Sequence, residues 1–506
     1  MFEIKYRNMQ VDNVTNSDME NKGVNPTENI VCAIDIGTSK IAALVGRKNQ
    51  FGKIEILGIG NCPSFGVQRG VVVNIAKTVE SIQKAVADAE RQSGIRFQKV
   101  HVGIAGQHIK SLQHRGILTR SDNESWISYD DIQKLKNEMY KLALPPGDKI
   151  LHVLPQEYIV DNEQGIHSEP VGMMGVRLEG KFHIITGAET AIKNIERCIN
   201  VAGLEVASIE LEPLASADAV LSKEELEGGV CLVDIGGGTT DIAIFENFVI
   251  RHTAVISLGG DTITNDLKDF RILRDQAEAL KKTYGNALPY EELRNQHVTI
   301  QGEGGIKAIG RNEVNLLAVS KVISARMREI LAHVAFEINL SGFEKKLIGG
   351  IVLTGGGSKL KHLVQLTESE TGQTARLGFP REHLASTKIT DVDNPIYATG
   401  IGLLFRGFKI KEEQKYYQVE VAEKQTAKVD EIQVTDTTIT TPIGENEVIN
   451  ISEETEKPTA TKINEQPIKQ DKVKAGKDTK KISIFSSWKS KVGSWIESDF
   501  EDFENK

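Results

Sequence analysis

Asp234 leads the run Asp234-Ile235-Gly236-Gly237-Gly238-Thr239-Thr240, set between two apolar stretches. The flanks, 230–233 and 242–245, have the length and β-branching of buried strands. Glycine lacks a Cβ, so the backbone between them can turn hard. A turn of this kind gathers several backbone N–H groups at one point, where they suit phosphate oxygens. A carboxylate at the end of the first strand can hold Mg²⁺ through water, because that ion keeps most of its hydration. The chemistry on offer is phosphate binding beside a divalent cation.

The same order occurs earlier. Val-Cys-x-x-Asp-Ile-Gly is shared by residues 31–37 and 230–236, and Asp35 is followed by Gly37, Thr38, Ser39 and Lys40. A repeat at this scale divides the chain into two related halves. A third glycine turn, Thr354-Gly355-Gly356-Gly357-Ser358, follows the apolar Ile351-Val352-Leu353. One glycine-rich turn alone is usually no more than a tight turn. Three in order, two led by an aspartate, point to a shared phosphate site. The histidines at 101, 108, 152 and 183 are scattered and read as core or surface residues.

Elements must hold these turns. Strands are expected at 30–36, 40–47, 53–60 and 98–105, with a helix over 71–93 whose Ile75, Val79, Ile82, Val86 and Ala89 recur at spacings of three and four. From about 107 to 188 the texture changes. A helix near 130–142, a break at Pro145-Pro146-Gly147, and strand-like runs at 150–154, 156–160 and 182–186 read as an inserted α+β subdomain. A helix over 191–202 closes at Gly203. In the second half a long helix spans roughly 314–340, and residues 395–404 form a small-residue helix. There Gly400 and Gly402 allow close backbone packing.

At 506 residues the chain is too long for one core. A net charge of −9 argues against general nucleic-acid binding. The four cysteines are scattered and form no zinc pattern, which fits a reducing compartment. No apolar run reaches the roughly 18 residues of a membrane-spanning helix. Residues 1–28 read as a polar, disordered arm, and 409–480, rich in Glu, Lys, Thr and Gln, as a disordered linker. Beyond it, Ile484, Phe485, Trp488, Val492, Trp495 and Ile496 share one face of a lysine-flanked helix suited to a membrane surface. The alternative is a helix docked on its own domain or in a partner's groove. Residues 497–504 form an acidic tail.

Two halves with Asp-Ile-Gly turns and a Thr-Gly-Gly-Gly turn resemble the actin, sugar-kinase and heat-shock-chaperone ATPase superfamily. Within it the chain is similar to the FtsA family of bacterial cell-division proteins. The stretches 35–40, 64–70, 101–108, 151–158, 170–178, 234–241 and 351–357 carry the resemblance, which spans about 29–405. It implies an α/β actin-like fold of two related halves, with an FtsA-type insert called 1C. Subdomain 1A would comprise 29–106 and 189–229, 1C 107–188, 2A 230–261 and 346–408, and 2B 262–345. The amphipathic helix of 481–506 behind the linker also matches the family's plan.

The resemblance implies ATP in the cleft between the halves. Gly37, Thr38, Ser39 and Lys40 match the first phosphate loop, Gly236, Gly237, Gly238 and Thr239 the second, and Gly355, Gly356 and Gly357 the turn against adenosine. Glu278, Lys281 and Lys282 match a helix lining ribose and adenine, and their spacing puts them on one helix face. Asp35 and Asp234 would position Mg²⁺, with Asp234 also in a catalytic role. Glu212, before Pro213, resembles the glutamate that orients water in chaperone and MreB relatives; its other reading is a surface glutamate before a helix. The function implied is a protein that polymerises and sits peripherally on the cytoplasmic face of the inner membrane at the division septum. Its partners would be inner-membrane lipid, copies of itself, the FtsZ C-terminal tail at 2B, and other divisome proteins. A pilus-assembly relative and a small-molecule kinase are the alternatives; the first usually lacks the terminal helix, and no kinase substrate motif is evident.

Overall fold

The computed structural model describes residues 29–120, 126–300, 312–385 and 389–415. The chain divides into two compact units, Met1–Glu431 and Ile432–Lys506, and every described residue belongs to the first. The arm at 1–28, the linker beyond 415 and the helix carrying Ile484, Phe485, Trp488, Val492, Trp495 and Ile496 lie outside the described residues.

Two five-stranded sheets repeat one plan. In the first, Ile30–Ile36, Lys40–Lys48 and Ile54–Pro63 form an antiparallel meander, continued on the other side by the parallel strands Lys99–Ile104 and Glu205–Leu211. In the second, Val230–Ile235, Thr240–Glu246 and Val249–Ile256 form the meander, continued by Ile351–Thr354 and Ala375–Leu377. Successive side chains of a strand point to opposite faces. The central strands are covered on both faces, so residues 31–34, 41–45, 230–233 and 242–245 read as unbroken apolar runs. Cys32, Ile34 and Ile36 join one core with the helices Ile75–Ser93 and Glu189–Val201. Val31 and Ala33 join a second core shared with Val230 and Leu232 of the other sheet. Cys231, Val233 and Ile235 face a third, built on the helix Leu316–Ser341.

The insert is an antiparallel sheet in the order Lys110–Thr119, Arg177–Ala188, Asp148–Val160, Glu163–Ile166. Its helix, Tyr129–Met139, starts in a capping box between Ser128 and Asp131 and buries Ile132, Leu135 and Met139. Two expected runs here form one strand. Pro155 does not end it, because the register shifts beside it at Lys181/Phe182, and a bulge is where a strand tolerates proline. Gln156 beside Pro155 donates instead to the Ile250 carbonyl at 2.9 Å.

Three boundaries differ from expectation. The first helix begins at Ile75 rather than 71, because Asn74 caps it by accepting from the Lys77 amide, while Val67–Gln68 and Val71–Val72 pair as a small hairpin. The long helix runs Leu316–Ser341, capped by Asn315. The last helix extends over 398–415, past the expected start of the linker at 409. It is held there by Lys411 Nζ on the Ile30 carbonyl at 3.0 Å and by an ion pair between Lys48 and Glu412. Upstream, Arg406 joins Glu210 and Asp218, each at 2.8 Å. Gly402 makes the close approach its type allows: a Cβ there would stand 1.8 Å from the Ala215 carbonyl oxygen.

Candidate functional site

The two related hairpins meet at their turns. A Cβ on Gly237 would stand 1.9 Å from Ser39 Oγ, and one on Gly238 2.6 Å from Thr38 Oγ1. No other residue type fits this approach. The Gly236 amide donates to the Thr239 carbonyl at 2.9 Å and closes the second turn. Thr38 Oγ1 accepts from the Gly70 amide at 3.1 Å, and Ser39 Oγ reaches Asp261 Oδ1 across the halves at 3.3 Å.

Behind the turns is a cluster of buried acids. Asp35 and Asp234 end the first strands of their hairpins and are both buried. Burial raises the Asp35 carboxyl to about 6; the Lys40 ammonium opposes the rise and the Asp234 charge adds to it. Asp234 is also raised by burial, against hydrogen bonds from Ser216 Oγ at 2.7 Å and Thr399 Oγ1 at 3.4 Å. Asp241 faces Asp234 in the hairpin register. It is pushed up to about 8 by burial and then by the Asp234 charge, with only Thr239 Oγ1 donating to it, at 3.2 Å. Its Oδ1 is buried without a partner.

Glu212 opens the helix Glu212–Val220 and is half-buried, not a surface residue. Its side chain lies on Gly103, where a Cβ would stand 2.8 Å from its Cγ. Burial raises its carboxyl well above the ordinary value, and the charges of Asp35, Asp241 and Asp234 add to the rise. Of these four carboxyls, Asp35 and Asp234 act on an amine, Lys40. Burial lowers the Lys40 pKa and the two aspartates oppose that. Crowded carboxyls that burial pushes toward their protonated form, with one orphaned carboxylate oxygen, fit a site where a divalent cation would take the place of protons. Among the described residues no group of three or more His, Cys, Asp or Glu is placed to hold a metal by itself.

The other expected residues fall around this centre. Gly355, at φ +81°, is the left-handed residue of the third turn, and a Cβ on it would meet Asp234 Oδ1 at 2.2 Å. Gly356 is exposed, and Ser358 Oγ closes the turn on the Gly355 carbonyl at 2.8 Å. Gly260 and Asp261, opening the helix Gly260–Leu267, donate to the Gly236 and Gly237 carbonyls at 2.9 and 2.8 Å. Lys281, on the helix Arg274–Tyr284, donates to the Gly260 carbonyl at 2.8 Å and pairs with Glu278 at 2.7 Å. Burial raises Glu278, but Lys281, the Thr264 hydroxyl and Lys282 together outweigh it and the carboxyl sits below its ordinary value. Lys282 pairs with Glu278 at 3.2 Å and is exposed. The triplet therefore packs one layer behind the second turn.

Four participants carry no reading from sequence: Ser216, Asp241, Asp261 and Thr399. Only Asp241 left a signal. It closes the Asp234–Asp241 motif, and a two-stranded hairpin puts those two carboxylates opposite each other. The first hairpin has Ala42 opposite Asp35, so the two halves are not equivalent here.

Two α/β halves of one plan, meeting at paired glycine turns and carrying an insert in the first half, define an actin-like ATPase fold. A structure of the PilM-PilN type IV pilus biogenesis complex shares it, with a TM-score of 0.54 at 16% identity over 74% of this chain and 98% of that one. A family model described as an SHS2 domain inserted in FTSA matches residues 106–186, and one described as cell division protein FtsA matches 231–402. The cell division protein FtsA of Pseudomonas aeruginosa is 44% identical over 384 residues, covering 75% of this chain and 89% of that protein. That of Bacillus subtilis is 35% identical over 376 residues, covering 74% and 82%. The chain belongs to the FtsA family of cell-division proteins.

Proposed function

We propose that this actin-like cell-division protein binds ATP with Mg²⁺ between its two hairpins and ties FtsZ filaments to the membrane. The observation that carries the nucleotide reading is the meeting of the two glycine turns over the Asp35, Asp234, Asp241 and Glu212 cluster. The backbone amides of Gly37–Lys40 and Gly236–Thr239 would hold phosphate oxygens. Gly355, Gly356 and Gly357 would lie against adenosine, with Glu278, Lys281 and Lys282 behind the sugar side. Asp35 and Asp234 would hold Mg²⁺ largely through its waters. The ion supplies charge neutralisation at the terminal phosphates. Glu212 is the residue for orienting a water, and its neighbours govern its proton. Slow hydrolysis is therefore proposed to need Glu212, and binding not to.

Anchoring is proposed to rest on the amphipathic helix expected around Ile484, Phe485, Trp488, Val492, Trp495 and Ile496. One such helix binds lipid marginally. A filament presents many, and linkage raises avidity by about 10²–10⁴. Polymerisation and attachment to the cytoplasmic face of the membrane would then be coupled. Subdomain 2B, at 262–345, is proposed to receive the FtsZ C-terminal tail, and the insert other divisome proteins. The test is pelleting of the full chain with anionic liposomes and Mg-ATP, with and without residues 481–506. The full chain should pellet with lipid and the shortened chain stay in the supernatant. Equal pelleting would refute the anchor.

A further inference from the structure

The Lys40 ammonium does not stand free in the crevice. It donates to the Ile396 carbonyl and lies 4.5 Å from the centre of the Tyr397 ring. Asn61 Nδ2 orients that ring by donating to the Tyr397 hydroxyl at 2.6 Å. The short turn holding both groups, Pro395–Tyr397, is capped by Asn394 and runs straight into the helix 398–415. Two residues on, Thr399 donates to Asp234 at 3.4 Å and shares a hydrogen bond with Ser216 at 3.1 Å. One four-residue stretch, 396–399, therefore grips a side chain from each of the two hairpins.

We propose that Tyr397 is a positioning residue for the phosphate site, a clasp that holds Lys40 and competes with a nucleoside triphosphate for its ammonium. This rests on the reading of the crevice as a nucleotide site. The chemistry is a straight competition. An ammonium over an aromatic face is held by the ring's quadrupole, more strongly where water is excluded. The terminal phosphates of a nucleotide draw the same charge more strongly, as charge-assisted hydrogen bonds do. When Lys40 leaves for phosphate, the Ile396 carbonyl and the Tyr397 ring lose their partner. The start of the helix 398–415 then registers what the crevice holds. The clasp acts against binding, so its removal should tighten the site rather than weaken it.

That sign separates the clasp from a structural role. The experiment is calorimetric titration of the full-length protein with Mg-ATP and, in parallel, with AMP. Tyr397→Leu removes the ring, while Tyr397→Phe and Asn61→Ala, the latter at an exposed strand position, keep it and delete the hydrogen bond that orients it. Tyr397→Leu should bind ATP about three- to tenfold more tightly than the wild type. Tyr397→Phe and Asn61→Ala, each lacking the hydrogen bond that orients the ring, should both shift in the same direction as Tyr397→Leu by less. AMP, lacking the terminal phosphates, should show no change in any variant. A wild type that binds no ATP sinks the nucleotide reading itself. A wild type that binds, with unchanged or weaker ATP binding in Tyr397→Leu and Asn61→Ala, overturns the clasp.

Discussion

At the scale of single residues, the site is defined by charge that the fold keeps from water. Asp35 at about 6 and Asp241 at about 8 lie above the roughly 3.9 of an unfolded aspartate. Between the unfolded and folded values the native chain holds more protons than the unfolded one. Stability therefore falls as pH rises from about 4, and levels off above about 8. Asp241→Asn removes the larger contribution. In protein without added nucleotide or metal it should raise the melting temperature at pH 8 and leave it unchanged near pH 4. The gain should be on the order of a few kcal/mol, at about 1.4 kcal/mol per pKa unit as the upper scale. A melting curve that ignores this change at pH 8 would contradict the burial argument. Gly355→Ala tests the opposite kind of residue. Its φ of +81° and its closeness to Asp234 leave no room for a methyl group. The strain should cost about 1–3 kcal/mol in urea unfolding. Glu212→Ala should abolish ATP hydrolysis in a phosphate-release assay and leave ATP affinity within about threefold, a change of under about 1 kcal/mol.

At the scale of elements, the hairpins were legible because their strands are buried on both faces. Residues 31–34 and 230–233 are unbroken apolar runs, and the glycines between strands mark the turn. The long helix and the insert were legible for the same reason, from period and texture. The strand Lys110–Thr119 was not: it is the edge of the insert's sheet, its residues are mostly exposed, and no alternation survives. The strand through Pro155 was read as two, since a bulge cannot be seen in one chain's sequence. Of the site, the aspartates, glycines and Glu212 were readable because each carries its own chemistry. Ser216 and Thr399 were not, because their meaning comes from contact with Asp234, reached from distant parts of the chain. The helix 398–415 belongs here too. Its length past 409 goes with an ion pair and a hydrogen bond to the first sheet that composition does not reveal.

At the scale of the whole molecule, lipid attachment is proposed to come from the helix expected at 481–506. The helix should work by number, since a single amphipathic segment is a marginal anchor. Trp488→Glu puts a charge on the apolar face and should release the protein from anionic liposomes in a pelleting assay. Pelleting equal to the wild type would place the lipid contact elsewhere. The insert and both halves pack into one unit, so membrane attachment reports on the crevice only if nucleotide changes how copies associate.

The central claim is that paired aspartates behind two glycine turns hold a magnesium nucleotide. Equilibrium titration of the full chain with Mg-ATP, beside an Asp35→Ala/Asp234→Ala variant that still melts cooperatively, tests it most directly. Saturable binding by the wild type, weakened at least about a hundredfold in the variant, is the expected result, a difference of about 2.7 kcal/mol. Equal affinity in the two proteins, or no binding by the wild type, would contradict it.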